Sequence, residues 1–501
     1  MLLDHVSIQT LAGWLAPHLS RPAWPGLLDP VVKERARGQA RRAGWWEELG
    51  RLLDPHTPIP VLRRSVFRDY QRTGNRTRGE AAILARAADT ERAALALWME
   101  HPAADLDYFQ DLLWAWCETW WKIPAHETLS LELVDTLRAR QLAEYRFVFA
   151  DRLEPEVSAR LAREIADRAL VPALDWNHPD PWQTRENNWN TVCNSNLIVA
   201  GLYEITDPLK LATFIHPLIR RMDYALAYYT DDGGCVEGAS YWEYGFCNFV
   251  DAAIALHERT GGALNLMAAD PKIERICRYP LAAYLAPPLR AAFADGDHGW
   301  LNAESALKIN RFFPVAELFS LTSREADGSL RLREMRSLAL DAEEPPPVPL
   351  GRTDYLLPDL GYAKIHAPQA EVVLAVQAGN NGVSHNHNDL GSFILCRDGV
   401  CVLTDPGAPV YRADTFGPGR YDILVCRSRG HSVPVVNGHE QAAGAEFYAG
   451  ITVQEAGEMP GGKSVHVDLT QAYPAPTLRR LERRFTIAPN GDLHIRDDYA
   501  F

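Results

Sequence analysis

The sequence lacks long apolar runs, and its first residues lack the pattern of a secretory leader. None of the apolar runs reaches the length of about 20 residues that a membrane-spanning helix needs. The opening segment, Met1-Leu2-Leu3-Asp4-His5, has neither a basic stretch nor the apolar stretch that follows one in a signal peptide. We therefore expect a cytoplasmic protein that does not span a membrane.

An excess of positive charge is also missing. The formal net charge is −14 at pH 7, which excludes the broad basic surface that non-specific nucleic-acid binding requires. If the substrate is itself acidic, a local basic pocket must overcome this overall field.

The eight cysteines lack the C-x-x-C spacing of metal and redox motifs. In a chain of this length, and in largely apolar surroundings, they are expected to be buried free thiols in a reducing compartment. They are Cys117, Cys193, Cys235, Cys247, Cys277, Cys396, Cys401 and Cys426.

The first 340 or so of the 501 residues show apolar residues at helical spacing, separated by short loops. Short loops make neighbouring helices antiparallel, which predicts stacked helical hairpins and leaves a closed or partly closed toroid open. No fixed-period repeat is present, which argues against TPR or ankyrin arrays. The predicted helices span 78–101, 105–122, 127–149, 156–175, 189–205, 210–229 and 239–260.

A proline-rich stretch at 343–350 separates this helical domain (1–342) from a domain of predicted antiparallel strands (351–501). Asp398-Gly399 and Asn490-Gly491 are typical of hairpin turns. The sequence ends soon after the second turn, so further strands are expected beyond it. The predicted strands span 371–377, 393–396, 400–404, 432–436, 451–455 and 464–469.

The segment Ser384-His385-Asn386-His387-Asn388-Asp389 carries two histidines at i and i+2, which on a strand would share one face. His387, Asp405 and His431 then form a mixed nitrogen and oxygen set that suits one zinc ion. His385 is left beside the metal and free for proton chemistry. The alternative is that each histidine is merely a polar residue of the sheet.

Two clusters in the helical region add candidate site residues. The stretch 186–194 holds four asparagines, more than helix capping needs, and such amides can hydrogen-bond a carboxylate. The stretch 234–245 holds Tyr241 and Tyr244 near a helix start. A tyrosine in a cationic site can have its pKa lowered enough for acid/base work, although aromatic packing would explain both residues equally well.

Four arginines lie between Asp405 and His431. They are either a pocket for carboxylate or sulfate groups or a solvated charged run. They are Arg412, Arg420, Arg427 and Arg429.

Taken together, NNWN-x-VCN, EGASYWEYG and SHNHND…DPG…H resemble the heparinase II/III-like polysaccharide lyases, which include heparin/heparan lyases and oligoalginate lyases. The resemblance covers about residues 150–450. It implies an incomplete (α/α) toroid of helical hairpins followed by an antiparallel β-sandwich domain. It also implies β-elimination at a uronic acid, in which a base removes the C5 proton and an acid protonates the leaving oxygen at C4.

Carried over to this sequence, the resemblance assigns Tyr241 and His385 to proton transfer and Asn188 to neutralising the uronate carboxylate. Tyr244 is a rival for Tyr241, one helical turn away. In metal-containing relatives the zinc supports the structure and does not activate water. The candidate substrate-binding residues are Arg185, Asn187, Glu237, Trp242, Tyr244, Arg427 and Arg429.

The predicted function is therefore a carbon–oxygen lyase that cleaves uronate-containing oligosaccharides, acting exolytically, with its site in a cleft between the two domains. A metal-dependent glycan hydrolase is one alternative, and a non-catalytic carbohydrate-binding protein with a structural zinc is another. The acidic oligosaccharide is the expected partner, without nucleic acid or membrane; a homodimer stays open.

Overall fold

The computed structural model describes residues 2–175, 179–323, 335–340, 345–457 and 459–501. The chain divides into two compact units. The first comprises Met1–Leu226, Gly245–Ala269 and Arg324–Glu343, and the second comprises Ala227–Tyr244, Asp270–Ser323 and Glu344–Phe501. Positions 343 and 344 of the proline-rich stretch lie outside the described residues, and 345–350 form neither helix nor strand.

Helices dominate the first unit, as the sequence periodicity predicts. Predicted helix 156–175 is shorter than expected: it ends at Ile165 and continues as a π-turn, ahead of Pro172, which cannot donate to a helical ladder. In the described residues no helix is both long and apolar enough to cross a membrane. Across both units, the described residues form the helices α1 (Ile8–Leu15), α2 (Pro30–Arg42), α3 (Trp45–Leu52), α4 (Arg64–Phe67), α5 (Asp69–Thr73), α6 (Thr77–Trp98), α7 (Leu106–Cys117), α8 (Leu133–Val148), α9 (Pro155–Ile165), α10 (Asn188–Glu204), α11 (Pro208–Tyr228), α12 (Ala239–Arg259), α13 (Pro271–Ala283), α14 (Ala303–Asn310) and α15 (Met335–Ala339).

The strands lie in the second unit and pair antiparallel. One five-stranded sheet has the order β12-β11-β10-β9-β6 and the other has the order β3-β4-β5-β7-β8. A separate hairpin, β1-β2, interrupts the region expected to be wholly helical. The strands are β1 (Tyr284–Ala286), β2 (Leu289–Arg290), β3 (Tyr355–Leu357), β4 (Tyr362–His366), β5 (Val372–Gln377), β6 (Gly379–Asn381), β7 (Phe393–Arg397), β8 (Val400–Leu403), β9 (Gly444–Glu455), β10 (Lys463–Asp468), β11 (Arg480–Ile487) and β12 (Leu493–Ala500).

Both predicted hairpin turns are present: Asp398-Gly399 joins β7 to β8, with both residues at positive φ, and Asn490-Gly491 joins β11 to β12. The strand predicted at 432–436 is wrong. This segment has no regular structure apart from a turn at Ser432 and one isolated bridge between Val436 and His439. Pro434 removes a backbone donor there, which is unfavourable inside a sheet.

The two sheets share one apolar core, so the predicted β-sandwich is confirmed. Leu374 and Val376 of β5 face Val465 and Phe485 of the opposite sheet in this core. Val373 and Ala375, on the other face of β5, pack against the α13–β2 region. Because β5 is buried on both faces, its sequence is a continuous apolar run and not an alternating one.

The same packing fixes the elements that carry the site. Phe293 belongs to the apolar cluster between β5 and the α13–β2 region, and this packing anchors the loop that follows β2. Before α12, Asp232 accepts hydrogen bonds from the backbone N–H groups of Asp359 and Gly234, at 2.8 and 3.2 Å. The start of α12 is therefore tied to the loop between β3 and β4.

The cysteine prediction holds for six residues, which are buried free thiols. It is wrong for Cys396 and Cys401, which form a disulfide. These two residues stand directly opposite each other on β7 and β8, which places their side chains on the same face of the hairpin.

Candidate active site

Tyr241 and His385 lie side by side in the second unit. Their ring centroids are 4.2 Å apart. Tyr241 belongs to the first turn of α12. The expectation that His385 lies on a strand is wrong: it occupies a turn with φ of 58°, a left-handed conformation that is uncommon for a residue other than glycine. Strained backbone of this kind concentrates at functional sites.

A buried carboxylate that the sequence motifs did not reveal, Asp295, organises this pair. Its Oδ2 lies 2.5 Å from His385 Nδ1, and its Oδ1 lies 2.9 Å from His387 Nε2. Arg420 donates from Nη2 to Oδ1 at 3.0 Å. Burial alone would raise the pKa of Asp295, but the bonds from both histidines and the charge of Arg420 hold it well below its usual range.

Tyr411 is the second residue that sequence reasoning missed. Its hydroxyl lies 2.5 Å from the Tyr241 hydroxyl, 3.0 Å from Asp295 Oδ2 and 3.2 Å from His385 Nδ1. Burial raises the pKa of both Tyr241 and Tyr411 above the ordinary value. The expected lowering of the Tyr241 pKa is therefore not found, and both phenols are protonated at neutral pH.

His387, Asp405 and His431 form the cluster that their spacing predicts. One ligand atom from each lies within 4.8 Å of the others. His431 Nδ1 is 2.8 Å from Asp405 Oδ2, and Asp405 also accepts from the backbone N–H of Gly407. The three side chains come from three loops that are distant in sequence.

The tautomers of the two histidines fit a metal ion. His387 uses Nε2 toward the ionised Asp295, and His431 donates from Nε2 to the carbonyl of Val425 at 2.8 Å. His387 therefore keeps a lone pair on Nδ1, which has no hydrogen-bond partner within the described residues, whereas His431 Nδ1 faces Asp405 Oδ2 at 2.8 Å. Metal-binding histidines commonly donate their other ring N–H in this way.

The charges around this cluster also call for a cation. Asp389 is fully buried, and its Oδ2 lies 3.8 Å from His431 Nδ1. Burial raises the pKa of Asp389 to about 7. Burial would lower the pKa of His431, but Asp389 and Asp405 raise it to about 9. A proton on His431, or a metal ion in its place, balances these carboxylates.

A second group, Asp295, His387 and Cys426, also brings three potential ligand atoms within 4.8 Å of one another. It fits a metal ion less well. Both oxygens of Asp295 already accept hydrogen bonds, and burial raises the pKa of the Cys426 thiol, which keeps it protonated. Thiolate, not thiol, is the metal ligand.

The candidate substrate-binding residues near α12 have different surroundings. Glu237 is buried, with Oε1 3.8 Å from His385 Nε2. Trp242 is also fully buried and donates from its indole to the carbonyl of Ile276, so it packs in the core and is closed to a ligand. Tyr244 is 44% exposed. Of the two rival tyrosines, Tyr241 is the one that contacts His385.

The arginines of this region are mostly engaged with carboxylates. Arg427 and Arg429 both donate to Glu440, with closest distances of 2.5 and 2.9 Å. Arg420 is buried against Asp295. Arg412 is exposed. Of these four arginines, Arg412 is the one whose side chain has no carboxylate partner among the described residues, so the arginine pocket considered from the sequence is not formed by the other three.

The amide cluster at 186–194 belongs to the first unit. Asn187 is the N-cap residue of α10, but its side chain makes no capping bond, and its Oδ1 is buried without a partner among the described residues. Asn188 is buried at the first helical position, and Asn190 donates to the carbonyl of Gln183 at 2.9 Å. Arg185 is exposed. The amide of Asn187 thus retains hydrogen-bonding capacity.

Comparison with known protein families finds a match for the segment that forms the two five-stranded sheets. Residues 350–499 match the family "Heparinase II/III-like, C-terminal". This region is heparinase II/III-like. Comparison with curated protein sequences finds no match.

Solved structures extend the likeness to most of the chain. Heparinase III superposes with a TM-score of 0.60 at 14% identity, covering 95% of this chain and 78% of the other. A mutant of the heparan sulfate lyase HepC from Pedobacter heparinus gives 0.55 at 13% identity, covering 95% and 78%. The chondroitin AC lyase of Streptomyces coelicolor A3 gives 0.52 at 11% identity, covering 95% and 65%. The predicted fold class and the predicted resemblance are confirmed.

Proposed function

We propose that the protein is a polysaccharide lyase that cleaves uronate-containing glycans by β-elimination. The observation that carries this proposal is the contact between Tyr241 and His385 beside the buried Asp295. The likeness of the fold to heparinase III and chondroitin AC lyase supports it. The relatives' substrates are acidic glycans by their names, so a uronate is the substrate class we propose here.

In this mechanism His385 acts through Nε2, since Nδ1 faces Asp295. Nε2 removes the C5 proton, the electrons form the C4–C5 double bond, and the bond from C4 to the glycosidic oxygen breaks. Tyr241 donates its phenol proton to the leaving oxygen. Burial raises the pKa of Tyr241, so the phenol stays protonated and is available as the acid and not as the base.

The C5 proton is weakly acidic, so charge that develops on the uronate carboxylate must be stabilised as it forms. We propose that Asn188, with Asn187 beside it, hydrogen-bonds this carboxylate. The side-chain Nδ2 groups would donate these bonds, because amide oxygens and carboxylates are both acceptors. We propose amides and not arginines for this role because Arg427 and Arg429 are already paired with Glu440.

We further propose that His387, Asp405 and His431 hold one zinc ion with a structural role. The Nδ1 of His387, which has no hydrogen-bond partner among the described residues, and the buried carboxylates of Asp389 and Asp405 beside His431 support this assignment. A zinc ion would supply positive charge that holds three loops together. His387 is fully buried and Asp405 is 6% exposed, which leaves this cluster poorly suited to present an activated water to a glycan and disfavours the metal-dependent hydrolase.

An ultraviolet assay tests the proposal. Purified protein is incubated with a panel of oligosaccharides that covers heparan-like, chondroitin-like and alginate uronates. We expect at least one to give a product with the near-ultraviolet absorbance of an unsaturated uronate. New reducing ends without this absorbance would indicate a hydrolase, and binding without turnover would indicate a carbohydrate-binding protein.

The same reactions distinguish the mode of attack. We propose exolytic action on oligosaccharides, which releases short unsaturated products from the earliest time points. A ladder of intermediate sizes that shortens with time would indicate endolytic cleavage.

A further inference from the structure

Asp295 contacts both the proton-transfer histidine and a histidine of the metal cluster. Its two oxygens lie 2.5 Å from His385 Nδ1 and 2.9 Å from His387 Nε2. The side chain is fully buried, so water does not compete for these contacts. The two histidines are two residues apart, yet they present different ring nitrogens to the same carboxylate.

This arrangement fixes the hydrogens on both rings. An ionised carboxylate only accepts hydrogen bonds, so each facing nitrogen must carry a hydrogen. His385 then has its hydrogen on Nδ1 and a lone pair on Nε2, the atom available to a substrate. His387 has its hydrogen on Nε2 and a lone pair on Nδ1, the atom available to a metal ion.

Two further contacts hold the carboxylate in place. Arg420 donates to Asp295 Oδ1 at 3.0 Å, and its Nε donates to the backbone carbonyl of Asn386 at 3.0 Å. Asn386 stands between the two histidines, so Arg420 holds Asp295 and the histidine segment together. Tyr411 donates to Oδ2 at 3.0 Å.

We propose that Asp295 is a positioning residue that sets opposite tautomers on His385 and His387 and thereby couples the metal cluster to the proton-transfer histidine. The catalytic part of this inference rests on the proposed lyase function. The left-handed backbone at His385 gives the coupling a physical basis, because a strained turn needs outside contacts to stay in one geometry.

The first test uses the wild-type protein. Ring hydrogens are assigned from hydrogen-bond networks and need direct observation. With ¹⁵N-labelled histidine, two-bond correlation spectra distinguish the two neutral tautomers, and single His385→Gln and His387→Gln variants assign the signals. We expect His385 with hydrogen on Nδ1 and His387 with hydrogen on Nε2. The same tautomer on both residues would overturn the inference, and this measurement needs no activity.

The second test is Asp295→Asn, which preserves size but replaces one acceptor with a donor. The amide can accept from one ring and must donate to the other, so one histidine has to adopt the other tautomer. If His385 changes, kcat should fall by roughly 10²–10⁴-fold with KM little altered and metal retained. If the tautomer of His387 changes instead, the amount of bound metal, measured by mass spectrometry, should fall.

Asp297→Asn is the matched control. Asp297 lies two residues further along the same loop, and its side chain is 64% exposed. This variant should leave both tautomers, the metal content and kcat unchanged. If Asp295→Asn keeps both wild-type tautomers, or loses kcat without any change of tautomer, the inference fails. If wild-type protein eliminates none of the uronates, the proposed function fails while the spectra still decide the inference.

Discussion

At the scale of single residues, the chemistry concentrates in side chains that hold one another in position. Tyr241, His385 and Tyr411 all reach Asp295 directly or through one hydroxyl. A substrate entering this cluster meets a protonated phenol and an imidazole whose basic nitrogen is set by a buried carboxylate. The proposed acid and base functions of Tyr241 and His385 therefore depend on neighbours as much as on the two residues themselves.

Tyr241→Phe tests the acid role, because it removes only the hydroxyl. We expect kcat for elimination to fall by roughly 10²–10⁴-fold, the usual loss for a positioned acid or base, with unchanged circular dichroism. Tyr244→Phe is the control on the same helix, one turn further on and 44% exposed. If Tyr244→Phe loses activity and Tyr241→Phe does not, the assignment is wrong by one turn.

Phe416 offers an apolar surface next to the proton-transfer pair. It is 54% exposed, and its ring packs edge-on against His385 and Tyr411, with centroid distances of 5.3 and 4.9 Å. We expect Phe416→Ala to raise KM several-fold with a smaller effect on kcat, since aromatic contacts contribute about 0.5–1.5 kcal/mol. Tyr448→Ala, at a 52% exposed aromatic residue of β9, should leave KM unchanged.

At the scale of elements, loops carry the functional residues and the β-sandwich holds them. His387, Asp405 and His431 stand on three loops whose ends are anchored in the sheets. Polar contacts keep these loops in register: Gln377 of β5 donates to Asp389 at 3.0 Å, and Ser392 donates to Asp405 at 3.4 Å. A metal ion would add a bond to each loop.

His431→Ala should therefore remove one metal ion per chain and lower the melting temperature by several degrees, because the loops lose a shared ligand. Metal content by mass spectrometry and thermal unfolding measure the two effects. Cys426→Ala is the control, since Cys426 belongs only to the rival ligand group. Loss of metal from Cys426→Ala but not from His431→Ala would favour that rival group.

Lys364 connects β4 to the end of α13. Its Nζ donates to the carbonyls of Leu281 and Tyr284 at 2.6 and 2.8 Å. Burial lowers the pKa of Lys364 to about 7. The unfolded chain, with a pKa near 10.4, then binds this proton more tightly than the folded state does, so this group makes stability rise with pH between about 7 and 10.

We expect the free energy of unfolding of the wild type, relative to Lys364→Met, to increase by about 2 kcal/mol between pH 7 and pH 9. Urea unfolding at the two values measures it. Lys210→Met, at an exposed lysine, should show the wild-type pH dependence. A constant difference between wild type and Lys364→Met would contradict the pKa assignment.

At the scale of the whole molecule, much of the fold could be predicted from sequence, because helical periodicity and hairpin turns are local signals. The grouping of His387, Asp405 and His431 could also be predicted, from their spacing, whereas the pairing of Tyr241 with His385 came from the resemblance of their motifs. Asp295 and Tyr411 could not be found this way. Asp295 lies 90 residues from His385 in a short glycine-containing loop without a motif, and only the packing around Phe293 brings it to the histidines.

The joint action of Asn188 with this cluster stays a prediction, since it depends on the arrangement of the whole chain. The backbone of His385 is a case in which a local sequence signal gave the wrong structure. Two histidines at i and i+2 suggest a strand from sequence, but the structure instead turns at His385 with positive φ. The shared carboxylate of Asp295, not strand alternation, brings the two rings together.

The overall charge leads to the last prediction. The proposed acidic substrate would approach a protein of net charge −14. In addition, Glu440 pairs with the two arginines closest to His431 in sequence, Arg427 and Arg429. Salt screens long-range repulsion, with a Debye length of about 10 Å at 0.1 M. We therefore expect kcat/KM on a uronate oligosaccharide to rise between low and moderate salt, in contrast to an enzyme with an open basic pocket.

Glu440→Gln reverses the local balance without touching the proton-transfer residues. It releases the charge of Arg427 and Arg429, so attraction to the acidic substrate should increase at low salt and kcat/KM should then fall as salt is added. Asp498→Asn, which removes the partner of an exposed arginine on β12, controls for the change in net charge alone. If kcat/KM of the wild type already falls as salt is added, positively charged side chains must face the substrate. The amide of Asn188 would then not be the main group that neutralises the substrate carboxylate.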